Sequence, residues 1–129
     1  MEHATVFVAS DDSAIRDSLS ELVASAGLRT EAFTSLQAWL ESVHPERRGC
    51  LVLDARAGDF TCPDRLVKFA SICTMRPVLL LIDRGDVPLA VRAIKGGAID
   101  VLEKPYRNEN LLERIMRASA LRRDAIPSR

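Results

Sequence analysis

Cysteine is scarce in this sequence and poorly arranged for chemistry. Cys50, Cys62 and Cys73 are an odd number with no C-x-x-C pair. That argues against both a zinc site and a disulfide framework, and leaves the three thiols as packing residues in or near a core. Charge of one sign is also lacking: 18 Lys and Arg balance 18 Asp and Glu, for a formal net charge of zero. A balanced chain is not itself a basic nucleic-acid binder or a membrane-surface protein. No apolar run approaches the roughly 20 residues of a membrane span. Met1-Glu2-His3 lacks the basic-then-apolar opening of a secretory signal. Internal repeats and low-complexity segments are missing too. The expected compartment is the cytoplasm.

What is present suits one globular domain. The 129 residues are 47% hydrophobic and 28% charged, enough for a core that needs neither crosslinks nor metals. Short apolar runs alternate with amphipathic segments. Ala4 to Ala9 is β-rich and stops at Ser10-Asp11-Asp12. Ile15, Leu19, Leu22, Val23 and Ala26 then recur at helical spacing before Gly27. Leu28 to Phe33 is a weaker strand pattern. Thr34 to Gln37 fits a capping box ahead of Leu36, Trp39, Leu40 and Val43. Cys50 to Leu53 reads as a buried strand ending at Asp54. Pro63 suits a first helical turn, with Leu66, Phe69, Ala70 and Cys73 along one stripe. Val78 to Ile82 is the most apolar strand. Asp86 caps a helix carrying Val87, Ala90, Val91 and Ile94 and ended by Gly96-Gly97. Ala98 to Leu102 is a fifth strand, and Asn108 caps a last helix with Leu111, Leu112, Ile115 and Met116 inward. Five βα units result. Strands this continuously apolar predict a parallel sheet covered on both faces, an α/β sandwich. Residues 1–120 form this domain, while 121–129 lose the periodicity and read as a linker or tail.

The polar residues just after the strands are the candidates for function, because ligands of open parallel sheets bind outside the carboxyl ends of the strands. Asp11 and Asp12 follow the first strand, Asp54 the third, and Lys104-Pro105 the fifth. Taken singly, each is an ordinary turn or cap residue. Together they bring two or three carboxylates and one ammonium to one edge. A hard divalent cation such as Mg²⁺, which takes oxygen ligands and partners phosphates, relieves the carboxylate repulsion. A lysine beside it suits a phosphoryl oxygen. The set reads as a phosphate-binding or phosphoryl-transfer centre with Asp54 as the nucleophile.

Over residues 4–120 the chain resembles the receiver (CheY-like) domain of two-component response regulators, most nearly the FixJ type that precedes a helix-turn-helix domain. The resemblance is carried by Asp11-Asp12, Leu51-Val52-Leu53-Asp54, Gly85-Asp86-Val87-Pro88, Ala93-Ile94-Lys95-Gly96-Gly97-Ala98 and Glu103-Lys104-Pro105. It implies a single doubly wound, flavodoxin-like sheet of five parallel strands in the order 2-1-3-4-5 with five helices. Asp54 would be the phosphoacceptor of a histidine kinase in a phosphorelay, and Lys104 would contact the phosphoryl group. Mg²⁺ would sit on Asp11, Asp54 and the backbone carbonyl of Arg56, with Asp12 a weak further candidate. The Lys104–Pro105 peptide would be cis. The chain would be a signalling module rather than an enzyme, regulating transcription through an output domain outside this sequence, with DNA contacted only through that domain. The face made by the fourth helix, fifth strand and fifth helix, carrying Arg92, Lys95, Glu103, Arg114 and Arg117, would support a homodimer.

Four positions depart from the family pattern. Ser10 stands where an acid is usual, which removes a metal-binding charge and implies weak Mg²⁺ affinity. Ile82 replaces a hydroxyl residue and Val101 an aromatic one, the two switch positions that sense the phosphoryl group. Gly58 replaces a proline. Tyr106 follows the Lys-Pro turn and inherits no gating role. These changes keep an alternative open: a degenerate receiver serving as a phosphorylation-independent dimerisation or docking module. Two readings on similar folds fare worse. A haloacid-dehalogenase-type phosphatase needs Asp-x-Asp, but Asp54-Ala55-Arg56 supplies Arg. A flavodoxin needs a small-residue phosphate loop where this chain has Ser10-Asp11-Asp12.

Overall fold

The structure, a computed structural model, describes residues 5–58, 60 and 63–120. Cys62 and the tail read above as a linker lie outside the described residues. Strands β1 (Thr5–Ala9), β2 (Arg29–Phe33), β3 (Gly49–Asp54), β4 (Val78–Ile82) and β5 (Asp100–Glu103) alternate with helices α1 (Ser13–Ser25), α2 (Leu36–Ser42), α3 (Pro63–Cys73), α4 (Val87–Lys95) and α5 (Asn108–Ala120). A 3₁₀ turn, Ala55–Ala57, follows β3. All strand pairs are parallel and the order is β2-β1-β3-β4-β5, as the resemblance implied.

The pleat explains why the central strands carry unbroken apolar runs. Successive side chains point to opposite faces, and here both faces are covered. Phe7, Ala9, Leu51, Leu53, Leu80 and Ile82 pack with Leu36, Trp39, Phe69 and Leu89 from α2, α3 and α4. Val6, Val8, Val52, Leu79 and Leu81 pack with Leu19, Val23, Leu111 and Ile115 from α1 and α5. Among the described residues no helix is long and apolar enough to cross a membrane.

Three local expectations need correcting. Helix α2 is capped by Ser35, whose hydroxyl accepts from the Ala38 amide at 3.0 Å, rather than by a box starting at Thr34; Gln37 turns instead to Glu41. On α4 the buried residues are Leu89 and Ala93, whereas Val87, Val91 and Ile94 face solvent. Their i, i+4, i+7 spacing defines a face, but not the one that meets the sheet. Met116 on α5 is likewise exposed rather than inward.

The edge remote from the candidate site is closed by a buried cation. Arg76 stacks its guanidinium on Trp39 and Phe7, at 5.0 and 5.3 Å from the ring centroids, and donates to the carbonyls of Gly49 and Pro45. Gly49 is required there: its φ is +149°, and a Cβ would sit 2.1 Å from the Thr5 carbonyl oxygen. Cys50 and Cys73 are free thiols buried in the two layers, as packing residues should be. Burial pushes Cys73 up to about 12 and Cys50 upward as well, which keeps both neutral and unreactive.

Candidate phosphoryl-accepting site

Three strand ends build the site. At the end of β3, Asp54 is buried, with 1% of its surface exposed. A buried carboxylate persists only if its lone pairs are filled, and these are. Oδ1 accepts from the Lys104 ammonium at 2.7 Å and from the Arg56 backbone N–H at 3.2 Å, while Oδ2 accepts from the Ser10 hydroxyl at 2.9 Å. Lys104 is delivered by the end of β5, where its own N–H bonds the Ile82 carbonyl at 2.9 Å and the following Lys104–Pro105 peptide is cis. Ser10 is delivered by β1, pinned by its N–H to the Phe33 carbonyl at 3.0 Å. Its hydroxyl donates to Asp54 and accepts from the Asp12 amide at 3.1 Å. Ser10 therefore does more than leave out a charge: it is a direct donor to the central carboxylate. Nothing in sequence spacing signals that bond.

The other carboxylates divide by task. Asp12 is the N-cap of α1, its Oδ1 accepting from the Ala14 and Ile15 amides at 2.8 and 3.4 Å. That use leaves Asp11 as the exposed carboxylate that β1 contributes at this edge. Among the described residues no cluster of three or more His, Cys, Asp or Glu could hold a metal ion. The set that the resemblance implies, Asp11, Asp54 and the Arg56 carbonyl, offers only oxygen donors, the chemistry of a hard cation.

Asp83, just past β4, was not singled out from the sequence. Its Oδ1 lies 3.8 Å from the Lys104 ammonium. Tyr106, two residues past Lys104, is half-buried against the α1/α5 layer. Burial pushes its phenol pKa up, and the nearby Asp54 carboxylate adds to the rise.

The description of the response regulator receiver domain fits residues 6–116 of this sequence. The chain belongs to the receiver-domain family of response regulators. This receiver is 39% identical over 120 residues to the response regulator protein TmoT of Ectopseudomonas mendocina, covering 93% of this chain and 54% of that protein. It is 39% identical over 106 residues to the transcriptional regulatory protein FixJ of Bradyrhizobium diazoefficiens, covering 82% of this chain and 52% of that one. The chain thus spans about half the length of the curated relatives it matches. Among solved structures, FixJ-N superimposes with a TM-score of 0.80 at 32% identity, covering 95% of this chain and 98% of that one.

Within this receiver the departures from the family pattern have visible neighbours. Ile82 is 1% exposed and packs in the layer beneath α4, where Val101 lies partly buried beside the same cluster. Gly58 leaves room for Phe60: a Cβ there would meet the Phe60 ring at 2.6 Å. That ring packs edge-on against Phe69 at 5.1 Å. Of the charges expected on the α4–β5–α5 face, three pair with other groups of the same chain. Glu103 accepts from the Gly85 amide at 2.7 Å, Arg114 pairs with Asp100 at 2.6 Å, and Arg117 reaches Glu113 at 3.5 Å. Arg92 and Lys95 stay exposed on α4, beside the exposed apolar side chains of Val87, Val91 and Ile94, with Ile99 just before β5.

Proposed function

We propose that Asp54 accepts a phosphoryl group from a histidine kinase, and that this receiver passes the signal to an output domain that regulates transcription, with DNA contacted only through that domain. The observation that carries the reading is the buried Asp54 carboxylate held by Lys104 at 2.7 Å. Asp54 is the nucleophile, and Lys104 neutralises charge on the oxygens it faces. Asp11, Asp54 and the Arg56 carbonyl would hold Mg²⁺, which would supply the remaining neutralisation of an incoming phosphoryl dianion. With Ser10 in place of a second acid, that cation binds weakly. The chain acts as a phosphoryl acceptor rather than as a turnover enzyme.

The test is incubation with acetyl phosphate and Mg²⁺, read by intact mass. A single phosphoryl addition that Asp54→Asn abolishes is the expected result. Addition that survives Asp54→Asn would move the acceptor elsewhere. A second copy of the chain docking through α4 and β5 is the partner that the exposed Val87, Val91 and Ile94 favour. A second reading, that the switch is muted and output runs largely independently of phosphorylation, is favoured by the buried aliphatic side chain of Ile82.

A further inference from the structure

We propose that Asp83 is a positioning residue for Lys104, competing for its ammonium with whatever occupies Asp54, a role that rests on the reading of Asp54 as the acceptor. Lys104 Nζ lies 2.7 Å from Asp54 Oδ1 and 3.8 Å from Asp83 Oδ1. The Asp54 side chain is fully covered, Lys104 is 19% exposed and Asp83 is 68% exposed. Lys104 thus reaches from the floor of the site to its rim, with a carboxylate at each end. An ammonium has three donors and no acceptor, so it can serve both.

The proximity of Asp83 is built into the backbone. The Lys104 N–H bonds the Ile82 carbonyl, the residue before Asp83, at 2.9 Å. Two residues further on, the Gly85 amide donates to Glu103, the residue before Lys104, at 2.7 Å. The Asp86 amide bonds the Asp83 carbonyl at 3.2 Å, and the Asp86 side chain caps α4 through the Leu89 amide. The turn carrying Asp83 is therefore clipped to the end of β5 on both sides of the charged pair.

A phosphoryl group or its mimic on Asp54 adds negative charge at the floor and draws Lys104 inward. The contact to Asp83 must then loosen, and the Asp83 carboxylate also repels an anion arriving through the rim. Asp83 thereby lowers the affinity of the site for such a group. A charge this exposed acts through screened solvent, so its effect is modest, about two- to fivefold, and fades as salt shortens the Debye length from roughly 10 Å at 0.1 M.

The experiment titrates beryllofluoride, with Mg²⁺ present, into the wild-type chain, Asp83→Asn and Asp83→Glu, following amide shifts around Asp54. At low ionic strength Asp83→Asn should bind about two- to fivefold more tightly than wild type. Asp83→Glu, which keeps the charge, should match wild type, and the difference should close near 1 M salt. A residue that merely shaped the turn would show no such salt dependence. Asp83→Asn binding equally or more weakly at low salt overturns the proposal, and weaker binding with a parallel loss of Mg²⁺ affinity makes Asp83 a metal ligand instead. If the wild-type chain itself takes no beryllofluoride, the acceptor reading fails and this role fails with it, a result already visible before any Asp83 variant is compared.

Discussion

At the residue scale, Ser10 concentrates the chemistry particular to this receiver. Its side chain is fully buried between the start of α1 and Asp54, donating to the Asp54 carboxylate and accepting from the Asp12 amide. Ser10→Ala leaves Asp54 Oδ2 and the Asp12 amide without that partner. Losing a buried hydrogen-bond partner costs about 1–3 kcal/mol, more where a charged group is involved, so the urea midpoint should fall accordingly. Ser10→Asp should behave differently. It places a second carboxylate against Asp54, a like-charge contact that destabilises the metal-free fold but gives a divalent cation a third acidic ligand. We expect Ser10→Asp to be less stable than wild type in chelator and to gain more stability from Mg²⁺ than wild type does. Equal Mg²⁺ gains in the two proteins would show that position 10 does not face the cation. The sequence exposed Ser10 as a missing charge, because an absent acid is visible in the letters. Its role as a donor, and the reach of Asp83 to Lys104, depend on side-chain directions that spacing does not encode.

The elements were legible where patterning left one answer. Strands β1, β3 and β4 carry unbroken apolar runs, Val6–Ala9, Cys50–Leu53 and Val78–Ile82, which fit a sheet covered on both faces, and the structure buries every residue of those runs. Helix α4 was not so constrained. Val87, Val91 and Ile94 repeat at helical spacing as well as Leu89 and Ala93 do, and only packing decides that the smaller set faces the sheet. The face left over presents three exposed apolar side chains beside Arg92 and Lys95, while three other expected charges pair with groups of the same chain. That changes what association should look like. A homodimer through this face would be held by apolar burial, which salt does not screen as it screens exposed ion pairs. In sedimentation equilibrium the mass should rise with concentration and hold in high salt, and Val91→Asp with Ile94→Asp should return it to the monomer. Both positions are exposed, so the fold should survive the change. A chain that stays monomeric at high concentration, or a dimer that salt dissociates, would remove the apolar face as its basis.

For the whole molecule the question is whether an event at Asp54 reaches α4. Receivers resembling this one usually carry a hydroxyl at the end of β4 that bonds the phosphoryl group, and an aromatic ring in β5 that follows it. Here the first position is Ile82, already buried in the layer beneath α4, and the second is Val101, partly buried beside it. A hydrogen bond to a charged group is worth roughly 1.5–3 kcal/mol. Because a ligand shifts a two-state equilibrium only by its differential interaction with the two states, lacking that bond weakens the shift by about ten- to a hundredfold at 1.36 kcal/mol per decade. With no hydroxyl moving inward, a ring at position 101 would have nothing to track, so the two replacements agree with each other. The turn clipped to β5 through Ile82, Gly85 and Glu103 joins the site to α4, and Ile82 offers a phosphoryl oxygen no hydroxyl there. We therefore expect beryllofluoride to bind at Asp54 and to perturb amides near Ser10, Arg56 and Lys104, while those of α4 and Val101 change little. Ile82→Thr combined with Val101→Phe should restore part of the long-range response, and Val101→Phe alone should not, because the ring needs the hydroxyl's movement to gain a second position. Large shifts on α4 in the unmodified chain would show that the two residues do not mute the switch, and would turn attention to Lys104 and the β4–α4 turn as the route the signal takes.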